Sequence, residues 1–245
     1  MAIRKPKRSE GRRANQLRTL KITRGYTQAA PGSVLIQTGQ TVVLCTATID
    51  EKLPEWREAS GLGWVTAEYD MLPGSTGRRR KRQRLRTDGR ATEIQRLIGR
   101  VIRSVVDFEK LGPRTIWLDC DVIQADGGTR TAAITGAYVA MADAVRQLRR
   151  EKRIRVTPIV EPVAAVSTGK VGGRLVLDLD YEEDSSAEVD FNVAMTGSGK
   201  FVEVQGGAEG NTFTRDELDR MLALAAGGIR KLIAGQKRAL ARGTR

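Results

Sequence analysis

The stretch LDCDVIQADGGTRTAAITGA, Leu118 to Ala137, ends an alternating run at Asp126-Gly127-Gly128 and sets Thr129-Arg130 before a small-residue segment. Glycines let a chain bend and let an anion come close to main-chain N–H groups. A helix starting here adds unpaired amides and its positive end. Thr129 brings a hydroxyl donor, and Arg130 a planar fork matched to phosphate oxygens. A second stretch, TDGRATEIQRL, puts Arg90 beside a glycine and just ahead of Thr92. Two arginines at two helix starts are what convergence on one phosphate would need. Taken alone, GGTR reads better as a Gly-Gly turn with a helix cap and a surface arginine, and Arg90 has the matching reading of a solvated arginine in a basic loop.

The opposite charge gathers in LVLDLDYEEDSSAEVDFNVAM. If extended, Leu175, Leu177 and Leu179 face one side, and Val176, Asp178 and Asp180 the other. Val189, Phe191 and Val193 then alternate against Glu188, Asp190 and Asn192, with Asp184 in the connection. A hard divalent ion takes one or two carboxylates beside substrate phosphates. A wet sheet face with an acidic turn has the same pattern. The run GSGK, Gly197 to Lys200, is not a phosphate-binding P-loop. Ala194 and Phe201 stand where that motif needs Gly and Ser or Thr.

These residues need elements to hold them. GSVLIQTGQTVVLCTATI predicts two strands around Thr38-Gly39-Gln40, and WVTAEYDML, RTIWLDCDVIQ, AEVDFNVAM and KFVEVQG further strands. VAAVSTGKVGGRLVLDLD predicts a hairpin. Ile94, Leu97, Ile98, Val101, Ile102 and Val105 form one helical stripe behind a capping box at Thr92 to Gln95. An alanine-rich helix runs from about Thr131 to Leu148. A last helix follows the capping box Thr214 to Glu217, burying Leu218, Met221, Leu222, Ala225, Ile229 and Leu232. The order is loosely repeated, in halves of about 16–150 and 160–240 behind a basic N-terminal tail, 1–14. That predicts a single domain, 1–245, built from a duplicated α+β unit.

Composition narrows the partners. The chain has 245 residues, with 42 Lys and Arg against 29 Asp and Glu, a net charge of +13. Such an excess favours a polyanion. The run RRRKRQRLR places seven cations in nine positions: Arg78, Arg79, Arg80, Lys81, Arg82, Arg84 and Arg86. It could hold RNA through salt-sensitive phosphate contacts, as could the basic tail, or be merely solvated. There is no histidine, so chemistry falls to carboxylates, arginines, hydroxyls, amides or an oxygen-bound metal. Cys45 and Cys120 lie in apolar strands and read as buried thiols. No apolar run matches a membrane span, so no membrane partner and a cytoplasmic location are expected.

As a set, LRTLKITRGY, GSVLIQTGQTVVLCTATI, GWVTAEYDMLP, DGRATEIQRLIGR, LDCDVIQADGGTRTAAITGA, VAAVSTG, LDYEEDSSAEVDFNVAM and VEVQGGAEG resemble ribonuclease PH from about Gly11 to Leu240. The resemblance implies that family's duplicated α+β fold (ribosomal protein S5 domain 2-like), closed into a homohexameric ring of three dimers. It implies phosphorolytic 3′→5′ trimming of tRNA precursors and other RNA 3′ ends, with inorganic phosphate as co-substrate and nucleoside diphosphates as products. Arg90, Gly128, Thr129 and Arg130 match the family's phosphate-binding positions. Asp178 and Asp184 match its paired carboxylates, implicated in Mg²⁺ (or Mn²⁺) binding and proton transfer. The basic loop and the trailing ARGTR depart from the pattern. A non-catalytic RNA-binding ring subunit and a hydrolytic metal-dependent nuclease are the rival readings.

Overall fold

The computed structural model describes residues 8–80, 89–209 and 211–243. The first half comprises β1 (Leu20–Arg24), β2 (Gly32–Thr38), β3 (Thr41–Asp50), the single-turn α1 (Glu55–Glu58), β4 (Trp64–Met71), α2 (Gly89–Arg103), the short α3 (Phe108–Leu111), β5 (Thr115–Gln124) and α4 (Thr129–Arg150). The second comprises β6 (Val163–Val171), β7 (Arg174–Leu177), the single-turn α5 (Tyr181–Ser185), β8 (Val189–Thr196), β9 (Phe201–Ala208) and α6 (Arg215–Ala241). Their sheets run β1-β2-β3-β5-β4 and β7-β6-β8-β9. All ladders are antiparallel except β4 with β5, whose parallel pairing needs the crossover that α2 supplies.

Alternation sets each sheet's inner face. In β3, Val43, Cys45 and Ala47 point inward and are fully buried, and Cys45 faces Cys120 of β5 across the ladder. Both thiols are free and buried, as their apolar surroundings predict. On α2 the expected stripe of Ile94, Leu97, Ile98, Val101 and Ile102 packs against this sheet. Thr92, however, does not cap the helix, which already includes Gly89. Gln95, the other half of the expected box, donates instead to Glu68 of β4.

The centre of the molecule is α4. Its residues reach Ile36 and Cys45 on one side and Val163 and Ala165 on the other within one core. A helix enclosed on both sides has no polar face to keep, hence its alanine-rich sequence. Close approach is enforced at Gly136, where a Cβ would lie 2.7 Å from the Cys45 sulfur and 2.8 Å from an Ile36 methyl. Across the second sheet, α6 buries Met221, Ala225, Ile229 and Leu232 against Leu177, Phe191 and Val193. Burying each large apolar side chain contributes about 1.5–3 kcal/mol. The Thr214 box forms as expected: Thr214 accepts from the Glu217 amide at 3.2 Å, and Glu217 accepts from the Thr214 amide at 2.9 Å.

Two local expectations change. The alternation read through Asp180 stops at Leu177, because Asp178 adopts a left-handed backbone (φ 57°) and turns the chain. Nor is the segment from Arg8 a solvated tail. Arg8 donates to Glu183, and Arg12 to Asp180 and Glu183. The Arg12 side chain is only 1% exposed. Among the described residues, no helix is long and apolar enough to cross a membrane.

Candidate functional site

Between β5 and α4 the chain passes through Asp126-Gly127-Gly128, with both glycines left-handed (φ 67° and 62°). A Cβ on Gly127 would stand 2.6 Å from the Leu179 carbonyl oxygen, and one on Gly128 2.8 Å from Arg18 Nη2. At Gly127 the obstacle is backbone, so only glycine fits, and both places have the left-handed geometry that glycine adopts without strain. The loop is gripped from behind. The Thr41 hydroxyl accepts from the Asp126 amide at 2.9 Å and donates to the Gly127 carbonyl at 2.7 Å. The Arg18 guanidinium donates to the Asp126 carbonyl.

With its carbonyls held at the back, the loop starts α4, and Gly128 caps that helix without a side chain. The first-turn amides have no intrahelical acceptors and carry the positive end of the helix dipole. Tyr69 of β4, 3% exposed, donates its hydroxyl to Thr129 Oγ1 at 2.8 Å. Thr129 therefore keeps its own hydroxyl proton to donate. Arg130 rests against Glu93 of α2 (3.2 Å) and Gln205 of β9 (3.3 Å). That contact is partly solvated and worth little energetically, so the guanidinium can be recruited by an anion.

These groups open onto a cleft of about 870 Å³. One wall carries Arg90, Gly128, Thr129 and Arg130. The facing wall carries Tyr181 and Asp184 from α5, with Asp190 and Asn192 from β8. Loss of hydration raises the Asp184 pKa, and the charge of Asp190 adds to the rise; Arg90 and Arg130 both counter it. Asp190 is raised first by lost hydration and then by Glu209, again countered by Arg130. The Tyr69 phenol is raised by burial and pulled back by its bond to Thr129 and by the same two arginines. Arg90 and Arg130 thus act on a common space.

Asp178 lies elsewhere. It is 2% exposed, and Arg18 engages both of its oxygens. Oδ2 accepts the Arg18 main-chain N–H at 2.7 Å; Oδ1 accepts Nε at 3.1 Å and Nη2 at 2.7 Å. Asp178 fixes the arginine that braces the glycine loop, and it does not line the cleft. Arg78 and Arg80 reach the cleft rim, while Arg79 is exposed beside them. Lys81, Arg82, Arg84 and Arg86 lie outside the described residues. The GSGK run turns between β8 and β9, with the Gly199 amide on the Thr196 carbonyl. Arg18 and Tyr69 gave no local signal in the sequence. Asp190 and Asn192 did, through the alternation that puts both on one strand face.

Two consecutive family models, described as domains 1 and 2 of the 3′ exoribonuclease family (RNase PH), match residues 16–147 and 161–228. The chain belongs to the ribonuclease PH family. Solved structures with the same fold include rice (Oryza sativa) Rrp46, with TM-score 0.78 and 16% identity over 95% of this chain and 100% of that one. An Archaeoglobus fulgidus exosome with RNA bound to its active site aligns with TM-score 0.80 and 20% identity, over 94% of this chain and 92% of that one. An archaeal exosome core aligns with TM-score 0.76 and 19% identity, over 94% and 91%. The ribonuclease PH fold accounts for a cleft whose two walls come from the two matched domains, about 50 residues or more apart in sequence at their nearest, Arg130 to Tyr181.

Proposed function

We propose that this protein is a phosphorolytic 3′→5′ exoribonuclease that trims the 3′ ends of tRNA precursors, working as a homohexameric ring. One observation carries the reading: Arg90, Arg130 and the uncapped start of α4 share a cleft with the Asp184–Asp190 wall. Family membership and the RNA in the active site of the Archaeoglobus fulgidus neighbour support it.

In this reading inorganic phosphate sits against Arg90, Arg130, the Thr129 hydroxyl and the Gly128–Arg130 amides. The arginines offset repulsion between two anions and hold the attacker in line with the terminal phosphodiester. A phosphate oxygen bonds to that phosphorus, the bond to the preceding 3′ oxygen breaks, and a nucleoside diphosphate leaves a shortened RNA. The freed 3′ oxygen needs a proton. With no histidine in the chain, water in the cleft, ordered by the Asp184 and Asp190 carboxylates, is its source. The same two carboxylates fit a hard divalent cation such as Mg²⁺ or Mn²⁺. Asp178, with both oxygens engaged by Arg18, does not. Bound there, the cation would offset charge on the transferring phosphoryl group. The bonds broken and formed are alike, so excess diphosphate drives the reaction backward.

The test uses labelled RNA with a single-stranded 3′ end, incubated with and without phosphate. Nucleoside diphosphates released only with phosphate are the expected result. Arg130→Ala should slow release by roughly 10²–10³. Nucleoside monophosphates released regardless of phosphate would make the protein a hydrolase. RNA binding with no release would make it a non-catalytic ring subunit.

A further inference from the structure

A second cleft, of about 730 Å³, lies at the opposite end of α4. The helix has 22 residues, so the two clefts stand roughly 33 Å apart. Among the described residues, six arginines line this one: Arg24, Arg146, Arg149, Arg150, Arg155 and Arg242. The single carboxylate among its lining residues, Asp143, is 7% exposed and already paired with Arg24.

Two of the six have structural duties. Arg24 donates to the carbonyls of Ala239 and Arg242, and Arg146 to that of Leu240, closing the end of α6. Arg149 and Arg150 occupy the last turn of α4, where cations favour the helix dipole. That accounts for neither Arg155 in the following loop nor Arg242 beyond α6. All four are exposed, and three separate segments bring them to one concave surface. No aromatic side chain is among its described lining residues. Single-stranded sites stack bases on aromatic rings, whereas duplex RNA is held through phosphates and 2′-hydroxyls.

We infer that this cleft is a second RNA-binding surface, which takes the phosphate backbone of the double-helical body of the substrate while its 3′ end occupies the catalytic cleft. The inference rests on RNA as the substrate but not on phosphorolysis. The test is the salt dependence of binding to a blunt RNA hairpin of about 16 base pairs, the span of a duplex-binding domain. It compares the protein with the triple variant Arg149→Gln/Arg155→Gln/Arg242→Gln. The slope of log affinity against log salt should fall by about 3, one for each phosphate contact. Raising salt from about 50 to 200 mM should then cost the unaltered protein roughly 60-fold more affinity than the variant. Affinity for a short single-stranded oligonucleotide should not change. An unchanged hairpin slope would overturn the inference. So would a fall in sedimenting mass of the variant, since the cleft would then be a contact between copies. Loss of hairpin binding in a protein that never releases diphosphates would uphold it and remove the phosphorolytic reading alone.

Discussion

Replacing Arg18 with methionine keeps most of the side chain's length and removes its charge. Both Arg18 and Asp178 side chains are 2% exposed, so water cannot replace the lost partner. Asp178 would keep the main-chain N–H of residue 18 but lose the two guanidinium bonds at 3.1 and 2.7 Å. Breaking a buried pair from one side costs about 3–5 kcal/mol, because a charge is left buried and uncompensated. At about 2–4 °C per kcal/mol for a chain of this size, Tm should fall by roughly 6–20 °C. The Asp126 carbonyl would also lose its grip, loosening the loop that starts α4. The KM for phosphate should rise by more than kcat falls. Urea denaturation measures the first effect, and diphosphate release at varied phosphate the second. Adding Asp178→Asn removes the stranded charge and should recover much of the stability but not the phosphate KM. Stability of Arg18→Met within about 1 kcal/mol of the original protein would refute this account. So would a double variant no more stable than the single one.

Other outcomes follow from the same geometry. The acidic limb of kcat/KM against pH should lie above the ordinary carboxylate range, because Asp184 and Asp190 are both raised; Asp190→Asn should move it down by removing the like charge on Asp184. A raised folded-state pKa stabilises below the unfolded pKa, and that contribution is lost as pH rises through the folded value. Asp190→Asn should therefore raise the unfolding midpoint at pH 7 and leave it unchanged in strong acid, as paired denaturation curves would show. Gly127→Ala drives a methyl toward the Leu179 and Asp180 backbone at positive φ, and should abolish phosphate-dependent release even where circular dichroism shows a folded protein. Thr214→Ala removes the arm of the α6 box that its hydroxyl accepts from the Glu217 amide and keeps the one its main-chain N–H donates, at a cost of about 1 kcal/mol in urea, leaving turnover intact.

The parts legible in the sequence were those whose causes are local. The period-2 strands, the α2 stripe and the Thr214 box each depend on residues within a few positions of one another. The glycine loop could be read because left-handed turns before a helix restrict residue choice strongly. Arg18 and Asp178 could not be paired, because 160 positions separate them and no local pattern links one to the other. Asp178 illustrates the difficulty: a carboxylate in an alternating run reads as facing solvent or a metal, yet its left-handed backbone and a remote arginine turn it inward. Thr92 shows the reverse failure. Its local signal was sound, but Gln95 found a tertiary partner in Glu68 and the helix started earlier.

The enclosure of α4 bears on how the polypeptide can be dissected. A fragment ending near residue 155 would keep the first sheet and the helix but bare the flank where Val163 and Ala165 belong. Its complement would lack the strap through Arg8 and Arg12 that neutralises Asp180 and Glu183. Expressed apart, each piece should aggregate; expressed together, they should reassemble around the shared rod. The buried contacts of α4 cross the boundary between the two matched domains, so each piece leans on the other.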